Sequence, residues 1–140
     1  MILQSERYEI ATVTTAKEAL EKAKSDHFSL ALLDIKLPDI DGTELLAQLQ
    51  KMCPDMIEIM VTGYPSLKNA VAALNFGAAS YLMKPVAPDE LLKTIRDKLM
   101  DMTIRARKQI DLITSLQEFR MGYINRPKKL RDRLLRTVRL

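Results

Sequence analysis

The sequence predicts an α/β fold built on a parallel sheet, and three observations carry that reading. Apolar runs rich in strand formers alternate with helical patterns of about ten residues, the alternation that βαβ units require. The stretches between them are short, as connections within a single crossover sheet are. One run, Leu30-Ala31-Leu32-Leu33, is apolar without alternation, as a strand covered on both faces would be.

Taken in order, Met1–Arg7 reads as the last turns of a helix or a disordered start. Tyr8–Val13 alternates and is expected to be a strand. Thr14 or Thr15 caps a helix over Ala16–Ser25. Glu18, three residues after Thr15, completes a capping box, and Ala19, Leu20 and Ala23 form the apolar face. Leu30–Asp34 is the second strand, ending abruptly at a carboxylate. Pro38, Asp39, Asp41 and Gly42 make the following loop, with Asp41 as N-cap of a helix over Thr43–Met52. Leu45, Leu46 and Leu49 point inward there, and Pro54 stops the helix. Met56–Val61 is the third strand, followed by Thr62-Gly63. Leu67–Phe76 is an Ala-rich helix that Gly77 ends. Ser80–Met83 is a short fourth strand, followed by Lys84-Pro85, and Asp89 opens a long helix.

Composition narrows the class. At 140 residues and 47% apolar content, the chain can bury the core of one domain and carry an appendage. No apolar run approaches the roughly 18 residues that a spanning helix needs. No signal-peptide pattern is visible. One cysteine, Cys53, excludes an internal disulfide, and one histidine, His27, excludes a Cys/His zinc site. A cytoplasmic, reducing setting is expected. Residues 120–140 hold eight Lys/Arg and one Asp, whereas residues 1–119 carry a net charge of −3, so the basic character belongs to the tail.

Asp34, Thr62 and Lys84 fall at strand ends. In a parallel sheet all carboxyl ends lie along one edge, where open α/β sheets place their functional groups. An acid, a hydroxyl and an ammonium converging there suit a carboxylate that accepts a phosphoryl group. Asp34 is the nucleophile, with Thr62 and Lys84 to bind the phosphoryl oxygens. The plainer reading of Asp34 alone is a turn former at a strand end.

Three stretches, LLDIKLPDIDG, VTGY and FGAASYLMKP, occur in the order and spacing of the receiver domain of two-component response regulators, and Tyr8–Met102 resembles that family. The resemblance implies a flavodoxin-like, doubly wound parallel sheet. It implies phosphorylation of Asp34 by a histidine kinase or a histidine phosphotransfer protein. Thr62 matches the switch hydroxyl, Lys84-Pro85 the lysine with its cis peptide, and Tyr81 the aromatic that moves with phosphorylation. Magnesium would be held by Asp34 and the backbone carbonyl of Lys36.

One departure stands out. The family begins with an apolar strand that ends in two adjacent acids, and no such pair precedes Tyr8. The expected fold therefore lacks the first strand and most of the first helix. The magnesium site would be weakened or lost without those carboxylates. In strand order 2-1-3-4-5 the absent strand is central, which leaves Tyr8–Val13 without a neighbour. Another chain could supply the strand, Tyr8–Val13 could shift to pair with Leu30–Asp34, or the chain is a shortened product. The retained Thr62, Lys84 and Tyr81 favour the last.

From Leu92 a heptad continues through Ile95, Leu99, Met102, Ala106, Gln109, Ile113 and Leu116. Its first half should pack on the sheet, and its second half suits a dimeric coiled coil. Gly122 is expected to end the helix. Leu130, Leu134 and Val138 then sit at helical spacing among basic residues. That tail suits nucleic acid, an anionic membrane surface or an acidic groove, or is simply solvated.

The expected organisation is a truncated receiver over residues 1–103, a helical extension over 104–121 and a basic tail over 122–140. The expected role is a phosphoacceptor rather than an enzyme, with a phosphorylation-independent dimerisation module as the alternative. A nucleotide-binding enzyme is disfavoured because no glycine-rich phosphate loop is present. Cys53 and His27 read as structural residues. Asp39 and Asp41 read as loop and cap residues, with a water-mediated metal contact as the functional alternative.

Overall fold

The computed structural model describes residues 8–124. The elements are α1 (Ala16–Ser25), β1 (Leu30–Leu33), α2 (Gly42–Met52), β2 (Ile57–Thr62), α3 (Leu67–Asn75), β3 (Ser80–Met83) and α4 (Pro88–Ile124). The three strands form one parallel sheet in the order β1-β2-β3. Register runs from Leu30 opposite Ile57 to Leu33 opposite Met60, and from Ile59 opposite Ser80 to Thr62 opposite Met83.

Central β2 is the most deeply covered strand, with Glu58, Ile59, Met60 and Thr62 fully buried. Side chains alternate between sheet faces. Glu58, Met60 and Thr62 therefore share one face with their lateral neighbours Ala31, Leu33 and Tyr81. Against it α2 lays Leu45, Leu46 and Leu49, each worth about 1.5–3 kcal/mol of burial. Ala16 and Ala73 close that cluster from α1 and α3. Ile59 points to the other face, and Leu92 and Ile95 of α4 are buried apart from that cluster.

The caps follow the sequence. Thr15 accepts from the Glu18 amide at 3.2 Å, Asp41 from the Thr43 amide at 2.8 Å, and Ser66 from the Asn69 amide at 3.0 Å. Gly77, at φ +92°, makes the left-handed turn after α3.

Two expectations fail. Tyr8–Val13 forms no strand. A strand exists only where a neighbour supplies a ladder. Among the described residues β1 pairs with β2 alone, so Tyr8–Val13 finds no partner and does not shift onto Leu30–Leu33. The alternation is real, since Tyr8 and Ile10 are half-buried and Glu9 and Ala11 exposed, but alternation without hydrogen bonds makes no sheet. Gly122 does not end the long helix either, for α4 continues through it to Ile124. A lone helical glycine costs only about 1 kcal/mol against alanine, which does not by itself break a helix.

Packing divides the chain between Leu99 and Met100. In the second unit the helix presents Met100, Ile110, Ile113 and Leu116 to solvent. No helix among the described residues is long and apolar enough to cross a membrane. The expectations for Met1–Arg7, and for the basic tail beyond Ile124, lie outside the described residues.

Candidate functional site

Parallel strands bring their carboxyl ends to one edge, and here that edge gathers three functional groups. Asp34 follows β1 directly, Thr62 closes β2, and Lys84 follows β3. Lys84 Nζ donates to Asp34 Oδ2 at 2.8 Å. The Lys36 amide donates to Asp34 Oδ1 at 3.3 Å. Thr62 is fully buried, and its Oγ1 accepts from the Tyr64 amide at 3.1 Å. The Lys84 amide donates to the Thr62 carbonyl at 2.8 Å, which ties the end of β3 to the end of β2. The Lys84–Pro85 peptide is cis.

Partial burial raises the Asp34 pKa, but other groups outweigh it. The Lys84 hydrogen bond, the Lys36 amide and the Lys84 charge, with a smaller contribution from the Thr62 hydroxyl, hold the carboxyl below its ordinary 3.8. Asp34 is therefore an ionised, solvent-reachable carboxylate at neutral pH, its side chain 29% exposed beside an ammonium that is 52% exposed.

The loop after β1 is a closed ring. The Gly42 amide donates to the Ile35 carbonyl at 2.7 Å, and Lys36 and Asp41 form an antiparallel bridge. A Cβ on Gly42 would lie 1.9 Å from the Asp34 carbonyl oxygen, so only glycine lets α2 start this close to Asp34. Across the site, Lys36 Nζ sits 3.8 Å from the centre of the Tyr64 ring. Asp39 faces elsewhere. Its two carboxylate oxygens accept from the Ala16 and Lys17 amides at 3.0 Å each, bonds that hold its carboxyl below the usual range. It anchors the first turn of α1.

An ionised carboxylate beside an ammonium and a hydroxyl can attack an electrophilic phosphorus and hold the transferred oxygens. The family model of the response regulator receiver domain matches residues 1–96. This chain belongs to that family. A solved CheY-like receiver from Methanospirillum hungatei JF-1 is 51% identical, with a TM-score of 0.73, covering 74% of this chain and 83% of that one. The beryllofluoride-activated NtrC4 receiver domain dimer is 34% identical at a TM-score of 0.69, covering 72% of this chain and 84% of that one. The transcriptional regulatory protein GlrR of Escherichia coli K12 is 36% identical over 97 residues, which are 69% of this chain and 22% of GlrR. This chain thus matches about a fifth of the length of that relative.

The receiver's described residues do not make a magnesium site. Among them no three His, Cys, Asp or Glu side chains are grouped to hold a metal. Asp34 and the Lys36 carbonyl are two of the six oxygens an octahedral ion needs. Asp34 already binds Lys84, and Asp39 is committed to α1.

Tyr81 packs on the core cluster beside Met60, and its hydroxyl is buried without a hydrogen-bond partner among the described residues. Cys53 and His27 line a hollow of about 230 Å³ with Asp26, Phe28 and Asp55 that Asp34 does not reach. The roles of three residues are not visible in the sequence. Gly42 and Asp39 act across the fold, and only the first leaves a local trace, as the glycine of an Asp-Gly pair. Glu58 is the third, and an acid inside MIEIMV was the signal.

Proposed function

We propose that this receiver accepts a phosphoryl group on Asp34 from a phosphohistidine, carried by a histidine kinase or a histidine phosphotransfer protein. The observation that carries the reading is the 2.8 Å Lys84–Asp34 contact beside the buried Thr62. An Asp34 carboxylate oxygen attacks phosphorus and the P–N bond breaks. The imidazole leaves with the bonding pair and is protonated, and an acyl phosphate forms. Lys84 then shifts from the carboxylate to the added phosphoryl oxygens, and the Thr62 hydroxyl turns to donate to another. The chain is the acceptor of the group and does not turn substrate over.

The response works by population shift. A buried hydroxyl without a partner costs about 1–3 kcal/mol, so the inward Tyr81 seen here is not locked. Drawing Thr62 toward the phosphoryl group would let Tyr81 follow. Incubation with acetyl phosphate, with and without magnesium, should add one phosphoryl mass that Asp34→Asn abolishes. No mass gain under either condition contradicts the proposal.

A second reading rests on α4. Ile110, Ile113 and Leu116 are exposed, and the 104–121 extension suits pairing with the same helix of a second copy. The NtrC4 receiver resembling this chain is described as a dimer in its beryllofluoride-activated form. Sedimentation should then give a dimer without phosphorylation, and Ile113→Lys should return a monomer.

A further inference from the structure

Glu58 plays no part in the chemistry at Asp34, yet it is the most deeply buried acid of the described residues, with no solvent exposure. One carboxylate oxygen, Oε2, accepts from Gln50 Nε2 of α2. The other, Oε1, is buried and has no hydrogen-bond partner among the described residues. Gln50 Nε2 also donates to the Gly77 carbonyl at 3.3 Å, so one amide joins β2, α2 and the turn after α3. That turn favours glycine. Gly77 has φ +92°, and an added Cβ would sit 3.2 Å from the Gln50 side chain.

An ionised carboxylate accepts from several donors and is stabilised by a cation. Among the described residues Glu58 has one side-chain donor and no cation. Its lateral neighbours are Ala31 on β1 and Ala79, whose amide donates to the Glu58 carbonyl at 2.8 Å. From α2 the facing polar group is neutral Gln50, while Glu44 and Lys51 are exposed. From α3, Lys68 is exposed. Tyr81 shares the face but lies beside Met60, further along the strand. Asp26, His27, Cys53 and Asp55 surround a hollow that Glu58 does not line. The buried residues of α4 are Leu92 and Ile95. None of these supplies a charge to offset a buried carboxylate, whereas a neutral carboxylic acid needs none.

We infer that the Glu58–Gln50–Gly77 cluster is a proton-binding site inside the receiver core, and that the chain is held together more firmly with the proton on than off. Burial pushes the Glu58 carboxyl from 4.5 up to about 7, against the smaller opposing effects of the Gln50 amide and its own backbone amide. The folded chain then binds more protons than the unfolded chain between those two values. Stability from this site is present in full below 4.5, and is lost as the pH rises toward and through 7. It puts a sensor of near-neutral pH in the same strand as Thr62.

The test is carboxyl-carbon NMR on the full chain labelled at glutamate, titrated across neutral pH. Glu58 should titrate with a midpoint near 7, and a midpoint near 4.5 overturns the inference. Gln50→Leu removes the side-chain donor to Glu58 and should move the midpoint further up, and an unmoved midpoint counts against the cluster. Denaturation midpoints should fall between about pH 5 and pH 8, and Glu58→Gln should lose that dependence. An equal slope in this variant also overturns the inference. If Glu58→Gln does not fold, the two titrations decide alone.

Discussion

Asp34 and Glu58 are carboxylates carried by neighbouring strand segments, one just past the end of β1 and one within β2, and they are driven in opposite directions. Asp34 stands past the end of β1, where Lys84 and a backbone amide reach it, and its pKa is lowered. Glu58 stands inside β2, where one amide reaches it, and its pKa rises to about 7. Residue type does not decide this, and neither does the strand. The ends of parallel strands are where loops can deliver cations and amides, whereas the middle of a buried strand offers alanines and leucines. A carboxylate can serve as a nucleophile at the first place and store a proton at the second.

Removing the cation breaks the comparison most directly. Lys84→Met should slow phosphorylation of Asp34 by about 10²–10³-fold, the usual loss when one preorganised donor is removed, as followed by mass spectrometry against time. The same variant should return the Asp34 pKa toward 3.8. The sign at Asp34 is opposite to that at Glu58. Its depressed folded value gives stability that is present above 3.8 and lost as the pH falls through the lower folded value, so Lys84→Met should flatten acid unfolding.

Gly42→Ala sharpens the comparison, since the clash falls on the Asp34 carbonyl. It should destabilise the receiver by about 1–3 kcal/mol in urea and slow phosphorylation, while the Glu58 titration keeps its midpoint. The smallest effect is expected for Asp39→Ala, which frees the Ala16 and Lys17 amides. It should cost about 1 kcal/mol and leave both carboxylates as they are.

Much of this was legible in the sequence because it is local. Apolar runs, capping residues and the Gly77 stop depend on neighbours along the chain, and those elements formed where expected. The strand-end placement of Asp34, Thr62 and Lys84 needed only the parallel topology. Tyr8–Val13 was misread because a strand is a property of a pair, and alternation describes one member of it. Asp39 caps a helix that starts 23 residues earlier in the chain, which no window on the sequence reveals. The role of Gly42 is set by the approach of α2 to Asp34, which is likewise a tertiary fact.

The central claim is that the Asp34 oxygen carries the phosphoryl group. It is tested by treating the chain with acetyl phosphate, reducing the product with borohydride, and sequencing the peptides by mass spectrometry. An acyl phosphate on Asp34 is reduced to homoserine, so homoserine should appear at position 34 and nowhere else. Unaltered aspartate at position 34, or homoserine at another acid, would contradict it.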